Sequence, residues 1–185
     1  MQVAVFGGSF NPPHVAHVMA CALVRALHDV ERILVVPTFQ HPFAKALAPY
    51  EDRVAMCELA MSGLNDVEVS RIEEELGGES RTLRTLERLA TNHPDWRLRL
   101  VIGADILAET PKWYGFDAIT KLAPPIVLGR AGFDGAGAAP ALLPEVSSTR
   151  VREAIACGAW DEVAALVPRR VLGYVRSKGL YDAPA

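Results

Sequence analysis

The run Val3-Ala4-Val5-Phe6-Gly7-Gly8-Ser9-Phe10-Asn11-Pro12-Pro13-His14-Val15-Ala16-His17 decides how this chain is read. Its apolar start does not alternate, which is the pattern of a strand buried on both faces, and two glycines end it. Apolar positions then recur at helical spacing through Val15, Val18, Met19, Ala22, Leu23, Ala26 and Leu27, so a helix is predicted over 14–28. A strand that passes through glycines into a helix makes an anion cradle. Glycine lets main-chain N–H groups approach a phosphate, and the helix turns its positive end to the same place. Pro12 and Pro13 stiffen the turn ahead of the helix. His14 and His17, three apart, share one helix face and can donate to phosphoryl oxygens. The run is not a P-loop, because no Gly-Lys-Ser/Thr follows, and it lacks the third glycine of the dinucleotide fingerprint. A zinc pair is disfavoured, since no third ligand stands at a recognisable spacing, and no protein metal ligands are assigned.

Outward from this run the same order repeats. Strands are predicted at 33–36, 67–69, 98–102 and 126–128, and helices at 50–63, 82–92 and 113–122. The alternation argues for an α/β fold: a Rossmann-like parallel sheet with helices on both faces and right-handed crossovers. Ile126-Val127-Leu128 is read as the last clear strand, and 131–144, rich in Gly, Ala and Pro, as a loop. Helical patterns over 148–157, 160–166 and from Pro168 to about Ser177 make a small C-terminal helical end-piece. One domain is expected over 1–185, with an α/β core at 1–145 and a helical subregion at 146–182. Three segments follow strands and should converge on one edge of the sheet: Gly7–His17, Thr38–Lys45 and Gly103–Trp113.

Composition narrows the function classes. The 185 residues are 50% hydrophobic, enough for a sizeable core. A formal net charge of −3 argues against a nucleic-acid or membrane-surface partner, though a local basic pocket for a polyphosphate remains compatible. Cys21, Cys57 and Cys157 lie far apart in apolar helical contexts and read as buried free thiols, not a disulfide framework. No secretory signal is evident and no apolar run reaches membrane-spanning length, so a cytoplasmic location is expected. A homo-oligomer is left open.

The second informative string is Val146-Ser147-Ser148-Thr149-Arg150-Val151-Arg152. Hydroxyls at a helix start cap free N–H groups, and that alone explains their presence. The same N–H groups with an arginine fork also clamp an anion. This string resembles the I-S-S-T-x-x-R signature of the nucleotidylyltransferase superfamily. Gly8-x-Phe10-x-Pro12-x-His14-x-x-His17 resembles that superfamily's first signature, written with an H-x-G-H core, and Ala16 stands in place of its glycine. The alanine adds a methyl group where the helix backbone is expected to lie against the nucleotide.

Further strings resemble the nicotinate mononucleotide adenylyltransferase family. Ile102-Gly103-Ala104-Asp105-Ile106-Leu107 is similar to its I-G-x-D-x-L segment, and Lys112-Trp113-Tyr114 to its W-Y segment. Ser80-Arg81-Thr82-Leu83-Arg84-Thr85-Leu86 is similar to its S-Y-T-x-x-T-L, with Arg81 replacing tyrosine. Pro37 to Lys45 is the weakest correspondence, and Lys45 is the candidate for the family's phosphate-binding lysine. The resemblance implies that AMP from ATP is joined to nicotinate mononucleotide, giving nicotinate adenine dinucleotide and pyrophosphate. It implies catalytic roles for His14, His17, Lys45 and Arg152. It implies ATP contacts from Gly7, Gly8, Ser9, Phe10, His14, His17, Gly103, Asp105, Ser147, Ser148, Thr149 and Arg152. Arg81, Thr82, Trp113 and Tyr114 would bind the acceptor, a pyridine mononucleotide, and Mg2+ would arrive bound to ATP. Three other readings stay open: the same chemistry on nicotinamide mononucleotide, the same on phosphopantetheine, and a non-catalytic nucleotide-binding module.

Overall fold

The computed structural model describes residues 1–41, 46–108, 110, 113–130 and 141–182. The predicted alternation is realised. The elements run β1 (Gln2–Gly8), α1 (Val15–Leu27), β2 (Arg32–Pro37), α2 (Tyr50–Met61), β3 (Val67–Val69), α3 (Ile72–Leu76), α4 (Thr82–Asn92) and β4 (Arg97–Gly103). A short 3-10 helix (Ala104–Ala108) follows, then α5 (Phe116–Leu122), β5 (Pro125–Arg130), β6 (Ala141–Leu143), α6 (Ser148–Ala156), α7 (Trp160–Leu166) and α8 (Arg169–Lys178). The strands form one six-stranded sheet in the order β3-β2-β1-β4-β5-β6, and every neighbouring pair is parallel. The chain leaves β1 in one direction along the sheet and returns to its other side with β4. The crevice for a ligand therefore falls at the carboxyl end of β1.

The burial of β1 explains its continuous apolar sequence. Val3, Ala4 and Val5 are all buried, and successive residues face opposite sides. Ala4, Ile33, Val35, Val101, Ile126 and Leu128 pack with α1, α2 and the C-terminal helices. Val3, Val5, Leu34, Val36, Leu98, Leu100 and Ile102 pack with α3, α4 and α5. The C-terminal helices bury Val151, Ile155, Val163, Val171 and Val175 in the first of these cores, so the end-piece is welded to the sheet.

Three expectations need correction. The segment read as a loop over 131–144 contains β6: Ala141–Leu143 extends the sheet beside β5, with a register irregularity at Gly129 and Arg130. Residues 131–140 of that segment lie outside the described residues. The short helix α3 was not anticipated, because five residues give no period to detect. Cys157 is exposed at the end of α6, whereas Cys21 and Cys57 are buried as expected. Burial pushes the Cys21 thiol up to about 12 and raises that of Cys57 further, so neither is a thiolate at neutral pH.

Candidate functional site

The turn after β1 is held from several directions, and its geometry follows from small steric facts. A side chain at Gly8 would put its Cβ 3.2 Å from the Phe10 ring, a contact tight enough that the ring would have to give by a few tenths of an ångström. Phe10 itself has φ 46 and is buried, its ring edge-on to Phe6 at 5.6 Å and to His17 at 4.9 Å. Its side chain therefore belongs to the core and only its main chain remains available to a nucleotide. The Asn11–Pro12 peptide bond is cis.

His14 is the N-cap of α1 and His17 lies in its first turn. Their rings stack with centroids 3.8 Å apart, as their spacing predicted. The His14 N–H donates to His17 Nδ1 at 3.1 Å. With Nδ1 occupied as an acceptor, the proton of the neutral ring sits on Nε2, which is then a donor. Ala16, between them, is buried and belongs to the core beneath α1. The extra methyl is thus accommodated by packing with the sheet.

The second signature docks on this turn. Ser147 caps α6 by accepting from the Arg150 N–H at 3.2 Å. Ser148 Oγ donates to the carbonyl of Pro12 at 2.8 Å, and Arg152 Nη1 donates to the carbonyl of Asn11 at 2.7 Å. Arg152 Nη2 also donates to Thr149 Oγ1 at 3.2 Å. Each of the three hydroxyls thus has a distinct partner. The two signatures, far apart in sequence, form one surface.

On the other side of the β1 end lies a cavity of about 440 Å³, a size that suits a mononucleotide. Gly7, Gly8 and Ser9 form one wall and Thr38, His41 and Ser80 another. Arg81 and Thr82 stand at the start of α4, and Gly103, Ile106, Trp113 and Tyr114 close the far side. All three post-strand segments predicted to converge contribute to it through their described residues. Trp113 is half-buried and meets Phe116 edge-on at 6.1 Å, so it is both packing and cavity wall. Tyr114 is 71% exposed, and the Arg81 guanidinium lies 6.0 Å from its ring centre while pairing with Glu79 at 2.8 Å. Asp105 folds back on Gly103: a Cβ there would meet Asp105 Oδ1 at 2.3 Å, so a larger residue would turn that carboxylate aside. Lys45 lies outside the described residues.

The candidate residues therefore divide. Arg81, Thr82, Trp113 and Tyr114 line the cavity, whereas His14, His17, Ser147, Ser148, Thr149 and Arg152 do not. Gly7, Gly8 and Ser9 lie between the two groups. The cavity is backed by Val5, Val36, Leu86, Leu100 and Ile119, residues of the α4–α5 side of the sheet. α1 and α6 cover the opposite side.

Several residues that shape the site escaped the sequence reading. Arg53 of α2 is 2% exposed and donates to the carbonyls of Ser9 at 3.1 Å and Ala48 at 3.0 Å. Its signal was present: Arg53 shares a helix face with Val54, Cys57 and Ala60, where a solvated arginine has no place. Asn11 is buried, and its Oδ1 accepts from Ala48 N–H at 3.0 Å and Tyr181 OH at 2.9 Å. Glu73 lines the cavity and accepts from Phe39 N–H at 3.1 Å and from Thr85 Oγ1 at 3.1 Å. No spacing rule marks Glu73, because it comes from the unanticipated α3. Among the described residues no three His, Cys, Asp or Glu side chains gather in a metal-binding group. No helix among them is long and apolar enough to cross a membrane.

Comparison with known proteins adds independent findings. The family model described as cytidylyltransferase-like matches residues 5–154. A protein of Anaeromyxobacter sp. (strain K), named "Probable nicotinate-nucleotide adenylyltransferase", is 50% identical, covering 97% of this chain and 96% of its own length. A Myxococcus xanthus protein of the same name is 44% identical over 98% of this chain and 95% of its own. Among solved structures, Plasmodium falciparum nicotinic acid mononucleotide adenylyltransferase complexed with NaAD superposes with a TM-score of 0.88 at 17% identity. That match covers 99% of this chain and 98% of the other, and it bears on the fold.

Proposed function

This chain belongs to the nicotinate-nucleotide adenylyltransferases of the cytidylyltransferase-like family, and from that premise we propose a division of labour within its site. The reaction is adenylyl transfer from ATP to nicotinate mononucleotide, which yields nicotinate adenine dinucleotide and pyrophosphate for NAD biosynthesis. The acceptor occupies the cavity between Gly7–Ser9, Arg81–Thr82 and Trp113. ATP lies on the α1–α6 side, over His14, His17 and Arg152. The observation that carries this reading is the position of the β1 end between the two groups of residues. A dinucleotide product must bridge two half-sites, and its phosphates then fall at Gly7–Ser9.

In the reaction an oxygen of the acceptor phosphate attacks the α-phosphorus of ATP. The bond from that phosphorus to the bridging oxygen breaks, and its electrons leave with pyrophosphate. The nucleophile is already an anion, so the chain supplies alignment and charge stabilisation, with no strong base. His17 donates through Nε2 to the transferring phosphoryl group. His14 is stacked against it and positioned for the same phosphates. The Arg152 fork and the start of α6 receive the leaving side, and Lys45 is assigned there by resemblance. Magnesium carried in on ATP would offset the triphosphate charge. Asp105 would accept from a water on such an ion or from a ribose hydroxyl.

At the acceptor end, the pyridine ring lies against Trp113. Its carboxylate meets the free N–H groups that open α4 and the Arg81 guanidinium. Glu79 pairs with Arg81 and keeps the guanidinium at the cavity wall, and Tyr114 supports it from outside. Arg81→Ala is expected to reduce the preference for the acid over nicotinamide mononucleotide roughly tenfold, the order of one charged hydrogen bond. Paired kcat/KM measurements on the two acceptors check this, and an unchanged ratio removes Arg81 from acceptor recognition.

The function as a whole is tested by mixing the purified chain with ATP, magnesium and a panel of acceptors. Pyrophosphate release with nicotinate mononucleotide in preference to nicotinamide mononucleotide and phosphopantetheine is expected. ATP binding with no release for any acceptor refutes catalysis and leaves a nucleotide-binding module.

A further inference from the structure

The turn after α8 reaches back to the first loop. Helix α8 ends at Gly179, whose φ of 60 and the Leu180 N–H bond to the carbonyl of Val175 at 3.1 Å close the helix in a Schellman-type turn. Tyr181 follows with φ 68, a left-handed conformation that a tyrosine adopts only when its surroundings require it. Leu180 and Tyr181 pack on the core shared by α1 and α2. The Tyr181 hydroxyl thereby reaches Asn11 Oδ1 at 2.9 Å.

Asn11 is where the loop is gathered. Its side-chain oxygen accepts from both Tyr181 and Ala48, and its main-chain carbonyl accepts from Arg152 at 2.7 Å. Ser9 and Pro12, on either side, are held through their carbonyls by Arg53 and Ser148. Burial raises the Tyr181 phenol, so it remains a protonated donor at any physiological pH. Arg152 is close enough to influence that phenol, which places Tyr181, Asn11 and Arg152 in one connected group.

We infer that Tyr181 is a positioning residue for the ATP half-site, fixing the Ser9–Pro12 loop through Asn11 so that loop and Arg152 present one surface to the triphosphate. The inference rests on the assignment of ATP to that side. It acts through Asn11, with no contact between Tyr181 and substrate. It also gives the strained left-handed turn a purpose that packing alone does not supply, since packing does not require a hydroxyl.

The test is Tyr181→Phe, which keeps the ring and removes the donor. ATP affinity, read by direct titration with magnesium, is expected to weaken roughly tenfold, about the worth of one buried hydrogen bond. KM for ATP should rise by the same factor while KM for nicotinate mononucleotide stays within about twofold. A merely structural role would lower the melting temperature and leave both constants alone, and that result overturns the inference. In an Asn11→Ala background, Tyr181→Phe should add nothing to the ATP defect; independent, multiplying defects also overturn it. The wild-type chain assayed alongside separates the two levels. If it binds ATP but releases no pyrophosphate, the catalytic reading fails while the affinity comparison still decides the role of Tyr181.

Discussion

His17→Ala is expected to lower turnover at least ~100-fold, the usual cost of deleting one preorganised transition-state donor. The expectation comes from how the ring is held. Its Nδ1 accepts the His14 N–H at 3.1 Å, its face lies on His14 at 3.8 Å, and its edge meets Phe10 at 4.9 Å. These contacts fix tautomer and direction before substrate arrives, so Nε2 needs no reorganisation as charge grows on the phosphoryl oxygens. The substitution also removes an acceptor at the start of α1, which costs stability on the order of 1 kcal/mol. His17→Asn, whose carbonyl can take over that acceptor, separates the effects: stability should return and turnover should not. Steady-state kinetics beside thermal melts give both readings, and a wild-type rate in His17→Ala removes this residue from the mechanism.

The second large effect is on stability. Arg53→Met is expected to destabilise the chain by about 3 kcal/mol, because two part-buried carbonyls lose their donor at ~1–3 kcal/mol each. Replacing a buried charge with an apolar group can be stabilising when the whole charged pair is removed. Here the partners are the main-chain carbonyls of Ser9 and Ala48, which remain when the guanidinium goes. Burial has already pushed the Arg53 pKa down, so part of the loss is offset by relief from desolvation. For a chain of this size the result is a fall in melting temperature of roughly 6–12 °C. A fall under about 2 °C would mean that Arg53 does not hold the loop.

How much of this was legible in the sequence depends on the range of the interactions. The central strands and their helices were readable because burial imposes a local period: Val3–Phe6 and Ile33–Val36 have no other sensible place than the middle of a parallel sheet. β6 was not readable, since Ala141–Leu143 is three residues long and is a strand only because β5 lies beside it. The short α3 failed for the same reason, and Glu73 with it. The two signatures were legible as strings, and their docking through Ser148, Arg152 and the loop carbonyls was visible only in three dimensions. Arg53 is a different case. It stood on the apolar face of its own helix, and a buried arginine among Val54, Cys57 and Ala60 could have been asked what it holds. The bond between Asn11 and Tyr181 left no such trace, because a single hydrogen bond between distant segments has no sequence pattern. Ala16 packs in the core, which the string alone did not show.

The end of β1 acts as a partition. In the proposed division, acceptor contacts come from α4, the Trp113–Tyr114 turn and the α4–α5 side of the sheet, while the signatures sit with α1 and α6 on the other. The two sets share little beyond Gly7–Ser9. An ancestral gene could therefore change what it couples to AMP by altering residues such as Arg81, without disturbing the machinery that activates ATP. Under that division, exchanges confined to the acceptor side change the substrate and leave the ATP side intact.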